Sequence, residues 1–228
     1  ITGKPLFEYV DEVFYRPMGL HRTFRSPVNE IPLNEVVPTE YDSVLRCELI
    51  HGFVHDPVAS MMGGMAGHAG IFSDAIGVGV IMQMLMNGGT YAGVRYLDST
   101  VVSQFTSKHF EGTFNRRGLG FDKPELIRTP DGPTAVSASP ATFGHSGFTG
   151  TCTWADPEAG VVYVFLSNRV HPTASNKKLG MMTIRTEVME EFYRILKNKS
   201  ADYLYLRILL VSIQYYEDRN CMLPYIRW

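Results

Sequence analysis

The fold is indicated most clearly by one stretch of sequence, Phe143-Gly144-His145-Ser146-Gly147-Phe148-Thr149-Gly150. Its first residues favour a β-strand, and its middle offers a basic residue, a hydroxyl and a glycine in that order. In acyl transfer, His145 could supply a proton or positive charge near a reacting centre, and Ser146 could hold a substrate carboxylate. Gly147 would let a peptide-like substrate lie against the strand edge, and the backbone N–H of Phe148 would point at a developing oxyanion. A histidine on an ordinary strand beside a glycine-rich turn is the simpler alternative that these residues leave open.

Two more strand-like runs follow, at residues 151–155 and 161–166, and residues 156–160 between them have the chemistry of a hairpin turn. An antiparallel meander of three strands is therefore predicted. Because side chains alternate along a strand, His145 and Gly147 are expected on one face, at the border of a groove.

Helical patterns lie on both sides of these strands in the sequence. Residues 6–15 have apolar side chains at helical spacing, and residues 73–74 and 98–99 are typical N-cap pairs. Gly77 and Gly79 are expected to weaken the helix that contains them by about 1 kcal/mol each. The predicted helices are residues 6–15, 76–86, 98–105 and 178–197. With the strands, they predict an α/β (α+β) fold in which helices flank an antiparallel sheet.

The remaining segments carry weaker signals. Residues 21–60 are rich in proline and polar side chains, which predicts long irregular excursions of the kind that often line a site. Residues 61–70 are rich in glycine and would allow close approach by a ligand or another segment. Residues 203–213 are mostly apolar but too short and too interrupted to span a bilayer. The tail that contains them, residues 200–228, could be an extra packing helix, a contact for a missing domain, or non-native sequence.

Composition excludes several classes of function. The chain has 228 residues and a net charge of −2, and its basic residues form no run longer than a pair such as Arg116-Arg117 or Lys177-Lys178. Binding to nucleic acid is therefore not expected. The three cysteines lie far apart with no CxxC pair, which argues against a disulfide framework and a thiolate zinc site. We expect neither a metal nor an organic cofactor.

Several motifs occur in one order along the chain: the glycine-rich loop, an Asn-Gly-Gly helix end, the Gly-His-Ser-Gly-Phe-Thr-Gly strand, an Asp-Pro turn and the strand end Leu166-Ser167-Asn168-Arg169. Together they resemble the serine β-lactamase/DD-peptidase (penicillin-binding-protein-like) superfamily, in its class C-like and esterase-like branch, over roughly residues 1–197. The third motif of that superfamily, Lys-Thr-Gly or His-Thr-Gly, corresponds to His145-Ser146-Gly147. The resemblance implies catalytic roles for His145, Ser146 and Phe148, and substrate-binding roles for Gly147, Thr149 and His68.

Two segments narrow the resemblance. Val54-His55-Asp56-Pro57-Val58-Ala59 and Gly63-Gly64-Met65-Ala66-Gly67-His68-Ala69-Gly70 are similar to a branch of muropeptide amidases or peptidases, some of which are fused behind a family-3 glycoside hydrolase. This similarity implies peptidoglycan turnover in a bacterium, a small peptide-like or muropeptide substrate, and a periplasmic or extracytoplasmic location. It also implies contact with a missing N-terminal segment or with a fused glycoside hydrolase domain.

The nucleophile of the family sits in a Ser-x-x-Lys helix near the N-terminus and is followed by a Tyr-x-Asn/Asp loop, and both are expected before Ile1. Ser175-Asn176-Lys177-Lys178 matches the first motif literally and Tyr41-Asp42-Ser43 resembles the second. Both stand in the wrong order or context, and we interpret Ser175 as a chance match. Residues 1–199 are therefore predicted to be the C-terminal part of a serine hydrolase domain. Without the nucleophile, this part is expected to be inactive alone.

Two rival functions remain open at this stage. A non-catalytic binding or interaction domain could have the same fold. A metal-dependent hydrolase could use His51, His55 and His68, of which the first two have i, i+4 spacing. Gly52 favours an extended backbone that would separate this pair, and His68 could instead bond to the backbone of its own loop.

Overall fold

The structure is a computed structural model that describes residues 1–198, 207–213 and 225–226. Its α-helices are α1 (Leu6–Val10), α2 (Pro57–Met61), α3 (Ala75–Met86), α4 (Ser99–Thr106), α5 (Lys178–Met181) and α6 (Ile184–Asn198). Its strands are β1 (Tyr41–Asp42), β2 (Glu48–Leu49), β3 (Thr90–Tyr91), β4 (Val94–Arg95), β5 (Phe143–Ser146), β6 (Cys152–Asp156), β7 (Val161–Ser167), β8 (Arg207–Ile213) and β9 (Tyr225–Ile226). None of the helices in these ranges is long and apolar enough to cross a membrane.

The main sheet has the order β5-β6-β7-β8-β9. Strands β5, β6 and β7 are antiparallel neighbours, as the sequence predicts, and a turn at residues 157–160 joins the last two. Strand β8 instead pairs parallel to β7, so the sheet is mixed rather than wholly antiparallel. Residues 207–213 of the tail thus form a strand, so the alternative of a packing helix is wrong for these residues. Residues 203–206 lie outside the described ranges.

Helices cover both faces of the sheet because side chains alternate along its strands. One face packs against α6 and the other against α3. The first face is formed by Cys152, Trp154, Val161, Tyr163 and Phe165, which cluster with Met189, Phe192 and Tyr193 of α6. The second face is formed by Phe143, Ala155, Val162 and Val164, which cluster with Met82 of α3.

The helices largely follow their sequence signals. Asp74 caps α3 by accepting a hydrogen bond from the N–H of Gly77 at 2.8 Å, and Asp98 caps α4 through Thr100 at 2.8 Å. A side chain at position 77 would lie 2.4 Å from the Ser73 hydroxyl, so the glycine there allows close packing rather than loosening the helix. Residues 11–15 continue α1 as a π-helical turn.

One predicted helix is wrong in its continuity. Residues 178–197 do not form a single helix, because the helical conformation is interrupted between α5 and α6. Thr183 has φ 51°, a left-handed conformation that a β-branched residue adopts rarely and that interrupts α-helical geometry.

The long segment before α3 is mainly irregular, as predicted for residues 21–60. It contains short 3-10 turns at Pro27–Asn29 and Leu33–Glu35, the two-residue strands β1 and β2, and α2. Two polar contacts attach it to the chain that follows β7: Asn168 Nδ2 donates to Pro38 O, and the Tyr41 N–H donates to Pro172 O at 3.0 Å. This attachment brings the segment to the end of the sheet that carries the predicted site.

Candidate active site

Strand β5 lies at an edge of the sheet, and its exposed side is only partly covered. Asp122 forms an isolated antiparallel bridge to Gly144, with N–H···O distances of 2.7 and 3.1 Å. A Cβ at position 144 would lie 2.0 Å from Thr153 O, so only glycine fits where these backbones pass. Among the described residues, no strand pairs with His145 or Ser146 on this side, and that part of the edge can accept an added strand.

His145 is exposed and makes two hydrogen bonds. Its Nε2 lies 2.9 Å from Arg117 Nη1, and its Nδ1 lies 2.8 Å from Ser146 O. A guanidinium can only donate, so Nε2 accepts from Arg117. The ring proton is then on Nδ1, which donates to the Ser146 carbonyl. This arrangement describes a neutral imidazole with one defined tautomer.

A buried carboxylate supports Arg117. Asp122 accepts a bidentate pair of hydrogen bonds from Arg116, both at 2.8 Å, and its side chain is only 5% exposed. Arg117 Nη2 approaches the same carboxylate at 4.0 Å. The neighbouring Lys123 donates to the carbonyls of three residues, Thr106, Ala141 and Thr142, and burial followed by the charge of Arg128 lowers its pKa.

The turn after β5 is closed by two backbone hydrogen bonds. The Gly147 N–H donates to Thr151 O at 2.7 Å, and the Gly150 N–H donates back to Gly147 O at 3.1 Å. The Phe148 N–H between them donates to no acceptor within the described ranges. Thr149 takes part through its carbonyl, which accepts from the Arg169 N–H at 2.9 Å.

The Phe148 side chain links this turn to the loop region (residues 21–72). Its ring stacks on His55, with centroids 5.6 Å apart, and the Arg169 guanidinium carbon lies 4.7 Å from its centroid. His55 Nε2 bonds Glu40 Oε2 at 2.6 Å, and Glu40 Oε1 accepts the Ala174 N–H at 2.7 Å. The loop region and the chain beyond β7 are therefore fixed around residue 148.

His68 lies exposed in the glycine-rich loop, and its Nε2 is 3.0 Å from Asp56 Oδ1. Asp56 also caps α2 by accepting the Ala59 N–H at 2.8 Å, and this bond, followed by the one to His68, lowers the Asp56 pKa. His68 thus bonds a carboxylate from another segment rather than the backbone of its own loop. Its role in substrate binding stays a prediction.

The three histidines of the rival metal site are directed to different partners. His51 Nε2 donates to Val36 O at 2.7 Å, while His55 and His68 bond Glu40 and Asp56. Across the described residues, no three His, Cys, Asp or Glu side chains are grouped so that they could hold a metal ion.

The two segments that resemble the missing family motifs have local roles. Ser175 lies in a turn and not in the first turn of a helix. Its N–H donates to Thr173 Oγ1 at 3.3 Å. Asp42 accepts the N–H groups of Val44 and Leu45 at 3.0 and 2.9 Å, which closes the turn between β1 and β2.

The structure adds three residues to the site: Arg117, Glu40 and Arg169. In the sequence, Arg117 is half of a basic pair and Arg169 ends a strand motif. Each contacts the β5 segment or its partners from a distant position in the sequence, so no local pattern marks it.

The family model described as Beta-lactamase matches residues 1–182. The chain belongs to the β-lactamase family. This membership agrees with the superfamily and the α/β fold that the motifs predict.

Individual relatives agree with this membership. Over 193 residues, the chain is 38% identical to proteins from Salmonella agona and Salmonella typhi, each named "Putative D-alanyl-D-alanine carboxypeptidase". These matches cover 78% of this chain and 44% of the relatives, so the chain spans less than half of their length. The structure is similar to a mutant of simvastatin synthase from Aspergillus terreus, with a TM-score of 0.54 and 15% identity over 86% of this chain and 52% of the other. That likeness shows the fold alone.

Proposed function

We propose that the protein is a serine hydrolase that cleaves cell-wall peptides through an acyl-enzyme, and that this chain supplies its substrate-binding strand. One observation carries the proposal: the open edge of β5 places exposed His145 directly before a turn whose Phe148 N–H has no acceptor in the described ranges. An exposed strand edge binds an extended peptide through its backbone. A free N–H at the end of that edge can stabilise the oxyanion that forms on the scissile carbonyl.

Each predicted residue has a place in this scheme. The substrate adds as a strand beside His145 and Gly147, and the glycine itself is needed because a Cβ there would lie 2.6 Å from Thr151 Oγ1. Ser146 binds the substrate carboxylate, and Phe148 N–H forms half of the oxyanion hole. Thr149 and His68 border the bound peptide, at the turn and in the glycine-rich loop.

The substrate class follows from the relatives. Proteins 38% identical to this chain are named "Putative D-alanyl-D-alanine carboxypeptidase", and membership of the β-lactamase family supports acyl-enzyme chemistry. We therefore assign peptides that end in D-alanyl-D-alanine, including muropeptides, as substrates. An extracytoplasmic site of action and contact with a fused glycoside hydrolase domain belong to the same proposal.

Formation of the acyl-enzyme needs a nucleophile. Ser175 lies in a turn remote in sequence from the β5 edge, and we infer that the 228 residues alone do not form an acyl-enzyme. A fluorescent penicillin should label the full-length gene product in equal molar amount and leave the 228-residue chain unlabelled. Labelling of the chain that Ser175→Ala abolishes would contradict this inference.

The same reagent tests the function itself. If the full-length protein binds a D-alanyl-D-alanine peptide but is never acylated by penicillin or by a phosphonate, it is a non-catalytic binding domain and the proposal is wrong.

The oxyanion role of residue 148 has a matched pair of variants. Phe148→Pro removes the N–H and should lower kcat by about 10²–10³-fold, the usual loss for one oxyanion donor. Phe148→Ala keeps the N–H and removes the ring contacts with His55 and Arg169, so its kcat should fall much less. Circular dichroism of both variants checks the fold, and equal losses of kcat would rule out this role.

A further inference from the structure

Arg117 contacts the predicted site but lies outside the His145-Ser146-Gly147 motif. We propose that Arg117, rather than His145, supplies the positive charge that acts beside this motif. In the same contact, Arg117 holds His145 as a neutral imidazole. This proposal rests on the proposed function and names the source of the charge in it.

The hydrogen bonds around His145 require this division of roles. Arg117 Nη1 lies 2.9 Å from Nε2 and can only donate, so Nε2 must be an acceptor. Protonation of Nε2 would set two donors against each other at that distance and place two positive charges side by side. A charged His145 would therefore have to lose its contact with Arg117.

The charges that face His145 leave an excess of positive charge at the strand edge. Asp122 is the carboxylate beside the motif, and Arg116 occupies both of its oxygens at 2.8 Å. Arg117 reaches that carboxylate only at 4.0 Å and keeps a half-exposed side chain. Lys123 points away to three backbone carbonyls. The single carboxylate of Asp122 thus faces two guanidinium groups. Arg117, whose charge it neutralises less than that of Arg116, is the one that contacts His145.

The chemistry of arginine makes this charge permanent. A guanidinium stays protonated at every pH at which a protein is folded, whereas an imidazole changes its charge around neutral pH. A lysine at position 145 would bring a positive charge at neutral pH into the strand itself. This chain has a histidine there, and Arg117 supplies the charge from a segment 28 residues away.

The kinetic test compares four variants of the full-length gene product on a tripeptide that ends in D-alanyl-D-alanine. Arg117→Ala should lower kcat by about 10²–10³-fold with little change in KM, because the charge acts on the transition state. Arg117→Lys should recover part of the loss. His145→Lys in the Arg117→Ala background should recover most of it, since it returns a permanent charge to the strand. Arg194→Ala removes an exposed guanidinium from α6 and should leave both constants unchanged.

Rescue by a returned charge separates this role from a merely structural one. A lost structural contact would not be restored by a lysine placed at position 145 on the strand. No recovery by Arg117→Lys and none by His145→Lys, in variants whose circular dichroism matches the wild type, would overturn the proposal.

A readout that needs no catalysis is the ¹⁵N spectrum of the histidine rings, with His145 assigned by comparison with His145→Lys. The wild type should show the Nδ1–H tautomer with a hydrogen-bonded Nε2, and Arg117→Ala should show a mixture of tautomers. An Nε2–H tautomer in the wild type contradicts the proposal even if the protein is an active hydrolase. If the spectrum shows the expected tautomer but penicillin never acylates the protein, the contact between Arg117 and His145 is supported and the hydrolase function is wrong.

Discussion

The central strands β6 and β7 and the loop region (residues 21–72) are stabilised in different ways. Residues 161–165 of β7 have no exposed surface, and their stability comes from burial of apolar side chains. The loop region exposes large apolar residues such as Val44 and Phe53, and it is fixed by polar contacts such as Arg46 with Val54 O at 3.1 Å. Burial is collective and non-directional, whereas each polar contact is modest and local. The sheet should therefore determine whether the chain folds, and the loop contacts should determine how the site is shaped.

The largest expected difference is in the rates at which a thiol reagent modifies the two cysteines that the structure describes. Cys47 lies exposed in the loop region, while Cys152 is buried in β6, and burial raises the pKa of its thiol to about 12. At pH 8 only about 10⁻⁴ of Cys152 would be thiolate, the reactive form. We expect a disulfide reagent to modify Cys47 at least about 10³-fold faster in the native protein, measured by peptide mass spectrometry. Cys47→Ser is the control. Fast labelling of Cys152 before unfolding would show that the thiol in β6 is accessible to solvent in the native protein.

A pair of aromatic truncations tests the energies directly. Trp154 is 1% exposed in the core, and Trp154→Ala should lower the free energy of unfolding by about 3–5 kcal/mol. Phe53 is 57% exposed in the loop region, and Phe53→Ala should change it by less than about 0.5 kcal/mol. Urea unfolding measures both values. Equal losses would mean that the loop region belongs to the cooperative core.

A buried carboxylate at the end of β6, that of Asp156, allows a further test of this comparison. Burial raises the pKa of Asp156, but hydrogen bonds from Ser139, Tyr193 and the Ala159 N–H outweigh burial and leave that pKa below its ordinary value. Since the folded-state pKa is the lower one, the stabilisation is complete above about pH 4 and is lost as the pH falls through the folded value. Asp156→Asn should cost about 1–3 kcal/mol at neutral pH and should lose this part of the acid dependence.

Urea midpoints between neutral and acid pH measure this effect. Asp131→Asn, at an exposed aspartate, is the control and should keep both the midpoint and the acid slope. An unchanged acid slope in Asp156→Asn would mean that other carboxylates dominate acid unfolding.

The smallest effect is expected in the loop contacts. Glu40→Gln weakens the bonds to His55 and to the Ala174 N–H, and it should cost about 1 kcal/mol of unfolding free energy. Hydrogen exchange should rise at residues 172–176 and in the turn at Phe148, while β6 and β7 keep their protection. Glu48→Gln, at an exposed carboxylate of β2, should change neither region. Faster exchange throughout the sheet in Glu40→Gln would contradict the local role of this contact.

Strands β5, β6 and β7 could be predicted because they are short apolar runs with turn residues between them. The parallel pairing of β8 with β7 could not, because it joins segments that no short turn connects. Strand β6 begins and ends one residue later than predicted, at Cys152 and Asp156. The break between α5 and α6 could not be predicted, since Leu179 and Ile184 pack against one core from both sides of it. The apolar pattern records which side chains are buried and does not record the left-handed φ of Thr183.

The candidate site divides in the same way. His145, Ser146 and Phe148 are neighbours in one stretch, so their spacing marked them. The partners of that stretch come from elsewhere: Arg117 is 28 residues from His145, and Arg169 is 21 residues from Phe148. Only tertiary structure brings such pairs together, and a single sequence holds no periodic signal for them.

The open edge of β5 has a consequence for the solubility of the protein. An edge that accepts a substrate peptide also offers unpaired backbone groups to any other extended chain, including a second copy of itself. Charged side chains beside an edge oppose such pairing, and Arg116 and Arg117 stand where they would do so. The two arginines would thus act as gatekeepers against edge-to-edge aggregation, so neutral replacements there should lower the concentration at which the protein begins to aggregate.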